Sequence, residues 1–69
     1  MQPVEIFVNG ERLQVPSGCS VAEMLEHLKI SSDRVAVELN KTLVRKRDWA
    51  ATSVSGGAHV EVVEFVGGG

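Results

Sequence analysis

The sequence predicts an α+β domain, a mixed five-stranded sheet with one main helix packed on one face, in chain order β-β-α-β-β-β. Three observations carry this. Two alternating apolar runs near the start flank the dipeptide Asn9-Gly10, the strongest short-range signal for a β-hairpin. Only the segment from Val21 to Leu28 repeats its apolar residues with the period of a helix. Three more β-branched runs follow, separated by turn residues. A chain of 69 residues accommodates one domain near the lower size limit, because such a domain buries only about 60% of the surface its unfolded chain exposes. The expected boundaries are residues 1–66 for the domain and 67–69 for a flexible glycine tail.

In the first strand, Val4, Ile6 and Val8 share one face and Glu5 and Phe7 the other, since strand side chains alternate. After Asn9-Gly10 the alternation resumes at Arg12-Leu13-Gln14-Val15, and Pro16 stops it. Ser20 and Glu23 have the spacing of a capping box, in which each side chain covers the other residue's backbone N–H. Val21, Met24, Leu25 and Leu28 then line one helix face, with Glu23, Glu26, His27 and Lys29 on the rest. Ser31-Ser32-Asp33 are expected to end that segment. Arg34 to Leu39 is the third strand, Asn40-Lys41 a turn and Thr42-Leu43-Val44 a short fourth strand, antiparallel to the third because the link is too short for a crossover. Arg45 to Ala51 is expected to be irregular, with a helical turn near Trp49. The lone Trp49 is assigned to closing one end of the core, where an indole buries much area. Ser55-Gly56-Gly57 is the last turn, and Val60 to Val66 the fifth strand.

One helix covers one sheet face. Val60 and Val62 are expected to face it, which leaves Phe7, Val63 and Phe65 on the other side. Exposed apolar surface of that kind marks partner sites. The competing arrangement has Phe7 and Phe65 packed against each other or under a loop.

The composition removes most other places for chemistry. Net charge is −2, so there is no basic field for nucleic acid. No apolar run approaches the roughly 18 residues of a membrane span, and Met1 to Glu5 lacks the pattern of a secretory leader. The expected location is the cytoplasm, with neither nucleic acid nor membrane as a partner. The single Cys19 excludes an internal disulfide and a multi-cysteine cluster. Its place ahead of a helix permits a lowered thiol pKa, but the expected role is a small residue in a loop. His27 and His59 have no metal-ligand spacing. Gly56-Gly57 lacks the Lys-Ser/Thr and the helix of a phosphate loop. Arg45-Lys46-Arg47 is read as a solvated basic loop.

What remains is Gly67-Gly68-Gly69. Glycine adopts backbone conformations closed to other residues, and an expected carboxylate on Gly69 would be an unhindered acyl carbon. Joining it to AMP would give a mixed anhydride with a good leaving group, open to attack by a sulfur nucleophile. The tail alone leaves two readings, this chemistry or a frayed end.

The chain resembles the ubiquitin-like β-grasp sulfur carriers, most closely the ThiS-type carriers of thiamine biosynthesis. The residues that carry the resemblance are Ile6-Phe7-Val8-Asn9-Gly10, Ser20-Val21-Ala22-Glu23-Met24-Leu25, Val35 to Asn40, Leu43-Val44 with Asp48-Trp49-Ala50, and Val62 to Gly69. The related molybdopterin-type carriers run longer, with Pro before the terminal glycines, where this chain has Glu64-Phe65-Val66. One departure is Arg45-Lys46-Arg47 where the family often has Pro ahead of the Trp. The resemblance implies a β-grasp carrier that is not itself an enzyme. A ubiquitin-activating-type (ThiF-like) adenylyltransferase would adenylate Gly69 with ATP and Mg²⁺, the carrier binding no cofactor of its own. A cysteine desulfurase or rhodanese-like donor would supply sulfur to make a Gly69 thiocarboxylate, and thiazole synthase (ThiG-type) would consume it. Gly67 and Gly68 would thread into the partner sites, and Phe7, Val63 and Phe65 would form the docking face. Two alternatives remain: a carrier for molybdopterin or tRNA thiolation or a ubiquitin-like protein modifier, and a plain interaction module.

Overall fold

The computed structural model describes residues 2–65. Strands β1 (Pro3–Val8), β2 (Glu11–Pro16), β3 (Val35–Leu39), β4 (Thr42–Val44) and β5 (His59–Glu64) form one sheet in the order β2-β1-β5-β3-β4. Between them lie helix α1 (Val21–His27) and the 3₁₀ segment η1 (Lys46–Ala51). β1 and β5 are parallel at the centre, and every other pairing is antiparallel. This is the mixed sheet the sequence predicts.

Both hairpins turn on left-handed backbone. Asn9 and Gly10 have φ of 52° and 83°, and Asn40 and Lys41 have 50° and 70°. Two successive positive φ values match the right-handed twist of the flanking strands. The first turn pairs Val8 with Glu11 and the second pairs Leu39 with Thr42.

The capping box at Ser20 is present. The Glu23 N–H donates to Ser20 Oγ at 3.1 Å, and the Ser20 N–H donates to Glu23 Oε1 at 2.8 Å. The helix ends earlier than the Ser31-Ser32-Asp33 stretch. Lys29, with φ of 60°, takes the left-handed position after the Leu28 cap. Its N–H donates to the Glu26 carbonyl at 3.1 Å, and the Ile30 N–H donates to the Leu25 carbonyl at 2.9 Å. This bond pair is a Schellman motif, which satisfies carbonyls a helix end would leave open. Periodicity alone missed it because Lys stands where Gly usually signals the stop.

Three strand boundaries also differ from those expected. β3 starts at Val35, since Arg34 has φ of 60° and cannot continue the strand. β5 starts at His59 and ends at Glu64, opposite Val35. The stretch Arg45–Ala51 is more regular than expected, with Lys46–Ala51 forming one 3₁₀ run.

The core fills the side of the sheet under α1 and η1. Ile6 and Val8 of β1, Val15 of β2, Val37 of β3 and Val60 of β5 meet Val21, Met24 and Leu25 of α1 there. Trp49 closes this core as expected, and its Nε1–H donates to the Val44 carbonyl at 2.9 Å. The Val21 N–H donates to the Thr52 carbonyl and the Val54 N–H to the Cys19 carbonyl, both at 2.8 Å, tying the start of α1 to the chain after η1.

Candidate functional site

Alternation places His59, Glu61 and Val63 of β5 on the sheet face away from α1, with Phe65 next in the series. The register adds the side chains beside them. Ala36 opposes Val63, Glu38 opposes Glu61, Leu43 opposes Glu38, and Phe7 opposes His59. Leu43, Val63 and Phe65 are the exposed large hydrophobics among the described residues, each more than half exposed. No described helix covers this face.

Phe7, Val63 and Phe65 thus share a face, but not as one cluster. Phe7 is half-buried and stacks on His59, with ring centroids 4.7 Å apart and planes 13° from parallel. Its rung lies at the start of β5, four residues from that of Val63. Glu61 stands between them in the alternation. The competing arrangement, Phe7 packed on Phe65, does not form: Phe7 stacks on His59 and Phe65 is exposed. Leu43 was missed by the sequence reading, although the alternation of Thr42-Leu43-Val44 after a tight turn carried the signal.

Glu38 and Glu61 lie directly opposite each other, an arrangement in which like charges repel. The described ion pairs, Arg12 with Glu5 at 3.7 Å and Arg47 with Asp48 at 3.9 Å, do not involve either of them. Farther along the face, an open cavity of about 460 Å³ is lined by Phe7, Asn9, Lys41, His59 and Glu61, among others. Its lining contains no Ser, Thr or Cys side chain. Among the described residues no group of three or more His, Cys, Asp or Glu side chains is placed to hold a metal.

Cys19 is buried beside the start of α1. Burial pushes its thiol pKa above the ordinary value, and the nearby Glu23 charge pushes it the same way. The helix N-terminus therefore does not activate this thiol, and the residue serves the core. His27 is exposed on α1, as expected. No helix among the described residues is long and apolar enough to cross a membrane.

β5 leads toward the glycines. Its last described contact is the Phe65 N–H donating to the Arg34 carbonyl at 2.7 Å. The proposed attachment residue Gly69 and the threading residues Gly67 and Gly68 lie outside the described residues.

A central parallel pair formed by β1 and β5, one helix across one face and an open opposite face define a ubiquitin-like β-grasp domain. The model of the ThiS family matches residues 2–69. A crystal structure of the thiamine biosynthesis protein ThiS from Geobacter metallireducens is similar at a TM-score of 0.83 and 35% identity, covering 96% of this chain and 100% of that one. The Escherichia coli sulfur carrier protein ThiS is 27% identical over 96% of this chain and 100% of its own length. A thiazole synthase from Paramagnetospirillum magneticum is 35% identical over 96% of this chain, which spans only 20% of that longer protein. The chain belongs to the ThiS family, the sulfur carriers of thiamine biosynthesis.

Proposed function

We propose that this ThiS-family protein carries sulfur as a thiocarboxylate on Gly69 and delivers it to thiazole formation. The observation that carries the reading is the family match, which runs through residue 69 and so takes in the glycine tail. A carboxylate is a poor acyl donor because its leaving group would be oxide. A ThiF-type adenylyltransferase would join it to AMP from ATP, with Mg²⁺ on that enzyme, and release pyrophosphate. A persulfide from a cysteine desulfurase or rhodanese-like donor would attack the acyl carbon and expel AMP. A thiol would then reduce the resulting acyl disulfide, leaving the thiocarboxylate. The carrier supplies the acyl group and the docking surface, and the partners supply catalysis.

Thiazole synthase is the proposed acceptor. In the Paramagnetospirillum protein of that name, a segment similar to almost all of this chain is part of the same polypeptide. Fusion raises the effective concentration of one part at the other, which is useful where the two must meet. Phe7, Val63 and Phe65 are the proposed docking residues, and Leu43 extends the apolar part of that face. The exposure of Leu43, Val63 and Phe65 beside an otherwise closed core supports the assignment, with Phe7 half-buried at the far end of the same face.

ATP–pyrophosphate exchange by the cognate adenylyltransferase tests the first step. The full chain should stimulate exchange, and a chain lacking Gly68 and Gly69 should not. Equal stimulation by the truncated chain would exclude Gly69 as the adenylation site.

A further inference from the structure

The parallel contact between β1 and β5 is short. Phe7 and Val8 are the paired residues of β1, because the chain then turns away at Asn9-Gly10. The Phe7 N–H donates to the Ala58 carbonyl at 2.9 Å, and the Asn9 N–H donates to the Val60 carbonyl at 2.8 Å. In a continued parallel ladder, the Val62 N–H would donate to the Asn9 carbonyl, and the next β1 amide would donate to the Val62 carbonyl. The turn removes both partners. The Asn9 side chain replaces them: the Val62 N–H donates to Asn9 Oδ1 at 2.9 Å, and Asn9 Nδ2 donates to the Val62 carbonyl at 3.2 Å. A carboxamide presents one acceptor and two donors, so it can act as the missing peptide group and extend the ladder by one rung.

Asn40, in the second hairpin turn, does a related job at the opposite end of β5. The His59 N–H donates to Asn40 Oδ1 at 2.9 Å, and the Asn40 N–H donates to the His59 carbonyl at 2.7 Å. Two turn asparagines therefore hold β5, one where it enters the sheet and one near where it leaves.

We propose that Asn9 is a positioning residue for the C-terminal tail, setting the direction in which β5 hands the chain on toward Gly69. The inference rests on the carrier reading of Gly69. Beyond Val62 the described backbone of β5 is held from the β3 side, through Glu64 opposite Val35 and Phe65 on the Arg34 carbonyl. Asn9 supplies the hold on the other edge. An acyl carbon that must reach an adenylylation site depends on orientation, and small misplacements cost rate. Asn40, at the entry end, has no such leverage.

The test compares Asn9→Gly with Asn40→Gly. Glycine accepts the positive φ at both positions, so each variant keeps its turn and loses its side-chain hold. Both should lower Tm by a few degrees. Asn9→Gly should lower kcat/KM for adenylation of the carrier by about tenfold and speed hydrogen exchange at Val62. Asn40→Gly should leave kcat/KM within about twofold of the wild-type value. Asn9→Asp retains an acceptor for the Val62 N–H and loses the donor, so it should fall between. It also carries the comparison if Asn9→Gly does not fold. Wild-type kcat/KM in the Asn9 variants, or an equal loss in Asn40→Gly, would overturn the inference. Failure of the wild-type chain to be adenylated would instead overturn the carrier reading, and this inference with it.

Discussion

Lys29 holds a left-handed backbone position for which glycine is the usual residue. Its Cβ incurs a steric cost there that glycine avoids. Lys29→Gly should therefore stabilise the fold by about 0.5–1 kcal/mol, read as a higher urea midpoint with an unchanged slope. Cys19 gives a second test at this scale. Its raised pKa keeps the native thiol protonated near pH 8, where an unfolded thiol is already partly thiolate. Iodoacetamide should modify the native protein far more slowly than the protein in urea. The linkage has a definite sign: the contribution to stability is complete below the unfolded thiol's pKa and declines as pH rises through the higher native value. Cys19→Ser should leave sulfur loading intact, and failure to load would give the thiol a functional role. The reading of Cys19 depended on depth. The sequence placed it ahead of a helix, but only the packing shows that burial outweighs any help from the helix end.

At the scale of elements, the β3–β5 pairing carries a cost in its middle. Glu38 and Glu61 repel across the open face. Glu61→Lys should turn that repulsion into an attraction and add about 0.5 kcal/mol, seen as a Tm rise of about 2–4 °C. A lower Tm would mean that Glu61 makes a contact of greater worth. The elements differ in how far the sequence revealed them. The Asn9-Gly10 hairpin and the Ser20/Glu23 capping box were readable because their chemistry is local. Periodicity also assigned Val21, Met24 and Leu25 to the core. The stop at Lys29, the start of β3 after Arg34 and the regular 3₁₀ run around Trp49 were not readable. Lys29 and Arg34 hold positive φ where no glycine announces it, and the run around Trp49 packs against α1. Leu43 differs, since the alternation of Thr42-Leu43-Val44 carried its face and the register with Glu38 places it there.

For the whole molecule, the sheet separates a buried core from an open apolar face. Ile6, Met24, Leu25, Trp49 and Val60 are buried on the helix side, while Leu43, Val63 and Phe65 stay open on the other. The core lies between Ile6 and Val60, so removing Gly68 and Gly69 should change Tm by less than about 2 °C while abolishing adenylation. A large loss of stability would show the tail to be part of the fold. Of the candidate site, the sequence placed Phe7, Val63 and Phe65 on the open face, while the tail residues Gly67 to Gly69 lie outside the described residues. It did not reveal the separation of Phe7 from Val63 along β5, nor the side-chain bonds from Asn9 to Val62, because both depend on the parallel register of the first and last strands.

The most direct test of sulfur carriage is intact-protein mass spectrometry after incubation with the cognate ThiF-type enzyme, ATP, Mg²⁺ and a persulfide donor. Sulfur carriage on Gly69 predicts a mass gain equal to one oxygen replaced by sulfur, mapped to Gly69 and absent without ATP. No gain with partners shown to be active on another carrier, or a gain mapped to Cys19, would contradict it.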